Sequence, residues 1–215
     1  MRNLASIIAG SILLIWASVA QAEMKFGVGL PIGQVDTSGT ETEGTAADTS
    51  DRSKSIKETF VGADLFVEFV SDNGFAFGVK YIPVDIELGN GSRVDTATGA
   101  DIATEADTGT RTASADLTDF YTVYANVPMG GAGWYATLGY HQATVATSET
   151  LNNSAYGNED IDGYEIGLGK NLDDNLRMEL SYHDFDDISL SATGGGTNSI
   201  SANADAVTFR LAYGF

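Results

Sequence analysis

The chain is 215 residues long, with 25 glycines, 3 prolines and no cysteine, and its 30 acidic against 11 basic residues give a formal net charge of −19. That length supports one domain with a sizeable core or a small barrel. The lack of cysteine excludes a disulfide framework, a zinc–thiolate site and a thiol nucleophile, and the acidic balance argues against nucleic acid as a partner, because a phosphate backbone needs Lys and Arg.

In chain order, residues 1–22 come first. Arg2 precedes an apolar run from Leu4 to Val19, and Ala20, Gln21 and Ala22 have the small-x-small form of a cleavage site. The segment reads as a secretory signal peptide, with cleavage expected after Ala22. Its run is short for a membrane anchor and is interrupted by Ser6, Gly10 and Ser11. Residues 23–215 then form a single barrel domain. Within them, apolar residues alternate with small or polar ones over 24–32, 61–69, 75–81, 121–127, 134–140, 164–168, 176–182 and 207–215. Period-two alternation predicts eight strands.

The connections alternate in length. Three are short and turn-forming: Ser71 to Gly74, Gly130 to Gly133, and Asp173 to Asn175. Four are long and polar, at about 35–57, 89–114, 145–160 and 189–203, and are expected to be flexible loops. Strict alternation of short and long predicts an antiparallel up-and-down meander with turns at one rim and loops at the other. The all-β class follows, with an eight-stranded transmembrane barrel preferred to a soluble one by the second face. That face carries Gly27, Gly29, Gly33, Gly62, Gly78, Gly139, Gly167, Gly169 and Gly214. It also carries Lys25, Asp64, Glu68, Lys80, Glu165, Arg177, Glu179 and Arg210. Glycine suits a cramped lumen, and charges of both signs pair inside one but are costly against lipid. The apolar face therefore points outward. Its ends are marked by Phe69, Phe75, Phe77, Trp134, Tyr213 and Phe215 toward the turns, and by Tyr81, Tyr121, Tyr140, Tyr164 and Tyr182 toward the loops.

Two segments carry a family resemblance. From Gly163 to Asp187 a glycine-rich strand leads into an Asp173-Asp174-Asn175-Leu176 turn and a strand ending Tyr182-His183-Asp184-Phe185. This resembles the penultimate hairpin of OmpA-type and opacity-type outer-membrane barrels. The end of the chain, with Phe209, Leu211, Tyr213 and Phe215 alternating, resembles the C-terminal signal of bacterial outer-membrane proteins. The resemblance implies an eight-stranded barrel in the outer membrane, with both termini periplasmic and four loops at the surface. It also implies the barrel-assembly machinery as a partner that reads the C-terminal segment. No peptidoglycan-binding domain follows the last strand, so a cell-wall tether is not expected.

Several constellations have the residue types that chemistry needs. Asn158, Asp160 and Asp162, followed by Gly163, begin like a calcium loop, but position 12 is Gly169 where a bidentate Glu belongs. They remain candidate cation ligands at a loop tip. The two histidines, His141 and His183, fall on the inward face. Counting back from the turn with Leu172 opposite Leu176 places Glu165 opposite His183, as an acid–base dyad or an interior ion pair. A lipolytic site on a strand needs His-x-Ser, and Asp184 and Phe185 follow His183. Gly27-x-Gly29 and Gly167-x-Gly169-Lys170 lack the strand–loop–helix context of a nucleotide site. The acidic stretches 145–163 and 184–205 contain no Lys or Arg. They suggest solubility of a surface rim or cation-bridged contact with lipopolysaccharide.

The expectation is a monomeric, non-enzymatic outer-membrane barrel with no cofactor. Its role is structural or one of cell-surface interaction, through acidic loops. The alternative is a narrow porin-like channel for small solutes, and the third is a lipid A-modifying barrel enzyme.

Overall fold

The computed structural model describes residues 22–45, 48–95, 109–150, 156–192 and 199–215. Of the expected signal peptide, residues 1–22, all but Ala22 lie outside them. Eleven strand segments follow in order: β1 Glu23–Thr45, β2 Asp48–Val61, β3 Asp64–Val70, β4 Ala76–Ile82, β5 Ile86–Asp95, β6 Gly109–Pro128, β7 Trp134–Glu149, β8 Asn158–Asn171, β9 Leu176–Phe185, β10 Ile188–Ser191 and β11 Ser199–Gly214. Antiparallel ladders join β1 to β3, β3 to β4, β4 to β6, and on through β7, β8, β9 and β11 back to β1. The ring is therefore closed by eight strands, and closure leaves no edge in its lower part.

The three extra segments are continuations of ring strands. β2 and β3 both pair with β1, and between them Gly62 donates its N–H to the Pro31 carbonyl at 2.8 Å. β4 and β5 both pair with β6, with Pro83, which has no N–H to give, at the break. β9 and β10 both pair with β11, and Asp186 donates to the Asp162 carbonyl at 2.8 Å.

These breaks change the architecture. Below them β3 pairs with β4 and β8 with β9. Above them, among the described residues, no ladder joins β2 to β5 or β8 to β10. The upper part thus separates into two four-stranded sheets, β2–β1–β11–β10 and β5–β6–β7–β8. The expected flexible loops are corrected here. Much of 35–57, 89–114, 145–160 and 189–203 is paired strand, as in Val35 opposite Glu58 and Ile188 opposite Ala202.

Both halves bury the inward face of their strands, but the residues that occupy it differ. Below, Phe26, Leu65, Leu138, Ile166, Leu180 and Leu211 lie on the outer wall and are exposed, Ile166 to 60%. Tyr81 stands opposite Tyr121, and Tyr140 opposite Tyr164. Above, the apolar residues turn inward. Val35, Ile86, Leu88, Leu117, Val145, Ile161, Ile188, Leu190, Ala202 and Ala204 form one cluster between the two sheets. Sheets packed face to face bury such a core. Transferring it to water is unfavourable by roughly 25 cal/mol per Å² of apolar area.

Candidate functional site

The lower interior is a filled polar network. Arg210 grips Asp64 through Nε and Nη2, both at 2.6 Å. Arg177 Nη1 lies 2.8 Å from both oxygens of Glu68, which also accepts from the Tyr124 hydroxyl at 2.8 Å. Lys80 Nζ donates to Glu165 at 2.6 Å and lies 3.7 Å from Glu179. Thr137 donates its hydroxyl within reach of both Glu179, at 2.7 Å, and Asn126, at 2.9 Å. Phe66 is stacked between the two guanidiniums, 4.6 Å from Arg177 and 4.8 Å from Arg210. All these carboxylates are buried, so each charge depends on its partner to offset lost hydration.

Alternation explains why these side chains meet. Residues two apart on a strand share a face, so Asp64, Phe66 and Glu68 point into the lumen from β3, and Arg177, Glu179, Ser181 and His183 from β9. Glycine makes the room. A Cβ on Gly29 would lie 2.3 Å from Asp64 Oδ2 and 2.6 Å from Arg210 Nε.

The singled-out residues fall into three groups. Asp64, Glu68, Lys80, Glu165, Arg177, Glu179 and Arg210 are brought together in the network. Lys25 stays apart at the turn rim, donating to the Asp174 carbonyl at 3.0 Å and 3.9 Å from Glu23. It also lines a vestibule of about 220 Å³ that ends on Glu68 and Arg177. His183 is opposite Glu165 in the ladder, but the Glu165 carboxylate is held by Lys80, and His183 Nε2 shares a hydrogen bond with Thr208 at 3.1 Å. Tyr124, Asn126 and Thr137 were not singled out, although alternation with Val123, Ala125 and Leu138 places them on the inner face.

The loop-tip placement of Asn158, Asp160 and Asp162 is corrected. The segment is strand β8, paired with β7, rather than a loop. Asp160 accepts from the Thr144 hydroxyl at 2.8 Å and Asp162 from the Gln142 amide at 2.7 Å. Among the described residues no three His, Asp or Glu side chains are grouped to hold a metal ion. Acid is nonetheless concentrated on one outer wall, where Asp85, Glu87, Asp116, Asp160 and Asp162 belong to the β5–β8 sheet or its edge. Partial burial, with Glu87 and Asp85 nearby, holds the Asp116 carboxyl above its ordinary range. Phe209, Leu211, Tyr213 and Phe215 are exposed on the outer face of the last strand and at its end.

Closed ring, apolar girdle and polar filled lumen define the class: an eight-stranded β-barrel of the outer-membrane type. No protein-family model and no curated protein matches the sequence. The chain is similar to the solved structure of the outer membrane protein AlkL in lipid bilayers, with a TM-score of 0.53 and 11% identity over 90% of each chain. It is similar also to the outer membrane protein OprG of Pseudomonas aeruginosa, with a TM-score of 0.51 and 11% identity over 92% of this chain and 98% of that one. At such identities the likeness is one of fold.

Proposed function

We propose that this chain resides in the bacterial outer membrane as a structural and surface-presenting barrel, whose two-sheet upper part is a platform held above the outer leaflet. One observation carries the reading: beyond the vestibule at the turn rim the lumen is filled. Arg177, Arg210 and Lys80 with their carboxylates fill the lower half, and the Leu117–Val145–Ile188 cluster fills the upper half. A packed interior stiffens a scaffold and opposes a continuous water path. The partners are the lipid and lipopolysaccharide around it, with divalent cations bridging at the acidic wall. During biogenesis the barrel-assembly machinery takes the segment ending in Phe215. The role is non-enzymatic and the chain acts as a monomer. In planar bilayers the folded protein gives no steady conductance steps, and on intact cells the upper strands accept surface label. Steady steps would overturn the reading.

A second reading, passage of small solutes, is supported by the seam above Gly62 and Pro83. There β2 and β5 lie side by side without a ladder, bridged by Lys54 donating to the Asn90 carbonyl at 3.2 Å. Uptake of a small solute by vesicles holding the barrel, without steady conductance steps, would favour this reading over the platform alone.

A further inference from the structure

Four rings close the lumen where its polar and apolar halves meet. The centroids of His141 and His183 are 5.5 Å apart. Phe185 lies 4.5 Å from His141, and Phe120 lies 5.3 Å from His141 and 6.0 Å from His183. Phe120 points inward in phase with Thr122 and Tyr124, and Leu117 points inward as well because β6 carries a bulge between them. Its ladder with β7 shifts between Thr118 and Tyr121, and Asp119 takes a φ of 51°. Bulges re-aim side chains in this way. His141 fits because Gly163 stands opposite it; a Cβ there would lie 2.2 Å from His141 Nε2.

The bonding of this layer is incomplete. His141 is 0% exposed and, among the described residues, neither ring nitrogen has a partner. His183 uses Nε2 on Thr208 but leaves Nδ1 unpaired, and Glu165 leaves Oε2 unpaired. The charged groups facing the pair are Lys80 from β4, Glu165 and, toward the outer wall, Asp162 from β8, and Glu179 from β9. Arg210 from β11 is taken by Asp64.

We propose that this four-ring layer is an acid-operated latch: binding of a proton by His141 separates the two upper sheets and admits water to the core between them. A neutral imidazole tolerates an apolar site at the cost of unmade hydrogen bonds, whereas an imidazolium has two N–H donors and a charge to satisfy. Lys80, Glu165 and Glu179 together supply one positive and two negative charges. A first proton on His183, opposite Glu165, brings that set to neutrality. A second, on His141 between Phe120 and Phe185, meets no free carboxylate. Water must then reach it, and the seams β2–β5 and β8–β10 are where no backbone ladder resists separation. The closed form therefore prevails at neutral pH and the open form on acidification. The inference does not depend on what the platform binds.

The absence of native cysteine allows a clean test. In the full-length barrel in lipid vesicles, Ala143→Cys reports on the buried core beside His141, and exposed Ser148→Cys on the outer wall serves as reference. Thiosulfonate labelling of each is followed from about pH 7.5 to about pH 4.5. The labelling ratio of Ala143→Cys to Ser148→Cys is expected to rise by up to about tenfold per pH unit, as follows when His141 binds its proton only in the open form. With His141→Phe or His141→Gln the ratio stays flat. Acid release of Glu165 or Glu179 alone would persist in those variants. A flat ratio with both histidines present, or the same rise without His141, overturns the latch.

Discussion

Asp64 and Arg210 are 146 residues apart and meet in a two-bond fork of 2.6 Å contacts across β1, the strand that lies between their own strands. Gly29 is the β1 residue opposite Asp64, and its missing side chain is what lets the fork cross the strand. Removing one member strands a buried charge. Asp64→Asn is expected to destabilise the barrel by about 3–5 kcal/mol, whereas Asp64→Asn with Arg210→Met costs less than the sum of the single changes. Urea unfolding of the bilayer-inserted barrel, followed by its heat-modifiable gel migration, measures both.

Substitution of the glycine tests the same crossing from the other side. Gly29→Ala puts a methyl group against Asp64 and Arg210 and should cost about 1–3 kcal/mol by overpacking. Gly131→Ala, at a turn position with open space around it, should leave the unfolding midpoint unchanged. Equal midpoints for the two variants would show that Gly29 does not hold the fork open.

The upper sandwich should loosen independently of the lower ring. Leu117 is 1% exposed between the sheets, so Leu117→Ala should cost about 2–5 kcal/mol there. Protease added to vesicles with the platform outward should then clip the upper strands of the variant and leave the lower ladders protected. Protection equal to wild type would place Leu117 outside a packed core.

Two carboxylates, one exposed and one partly buried, give opposite pH effects. Asp173 accepts backbone N–H groups from Leu176 and Asn175 at 2.6 and 2.8 Å, which lowers its pKa below 3.8. Its contribution is present above pH 3.8 and is lost as the pH falls through the depressed value. Asp116 is raised above 3.8, so its contribution is present below that pH and is lost as pH rises through the raised value. Asp173→Ala should therefore lower stability at neutral pH but not in strong acid, and Asp116→Asn should raise it at neutral pH. Unfolding midpoints at a series of pH values check both signs.

The lower half was legible in the sequence because two environments differ sharply there. Lipid selects Phe26, Leu65 and Ile166, and a narrow lumen selects Gly29, Asp64 and Arg210, so alternation shows which face is which. The register around Asp173 to Asn175 followed from turn geometry alone, and it placed Glu165 opposite His183. What alternation could not show was the third partner, Lys80, which reaches Glu165 across the lumen from β4. The upper half looks like loop in the sequence because its code is reversed. Val35, Ile188 and Ala204 are inward and Asp36, Ser189 and Asp205 outward, so the period persists while its polarity changes sides at the breaks. The single polar segment of Asn158 to Asp162 looked like a loop tip for the same reason.

The central claim is that reversal, and β11 runs through both halves. Single cysteines carrying nitroxide labels from Ser199 to Gly214 report contact with oxygen dissolved in lipid or with a polar relaxer in water. Ala202, Ala204, Ala206, Thr208, Arg210 and Ala212 should be shielded from both. Phe209, Leu211 and Tyr213 should read as lipid, and Ser201, Asn203 and Asp205 as water, with the change falling near Val207. Water contact at Phe209 and Leu211, or free water contact at Ala202 and Ala204, would contradict it.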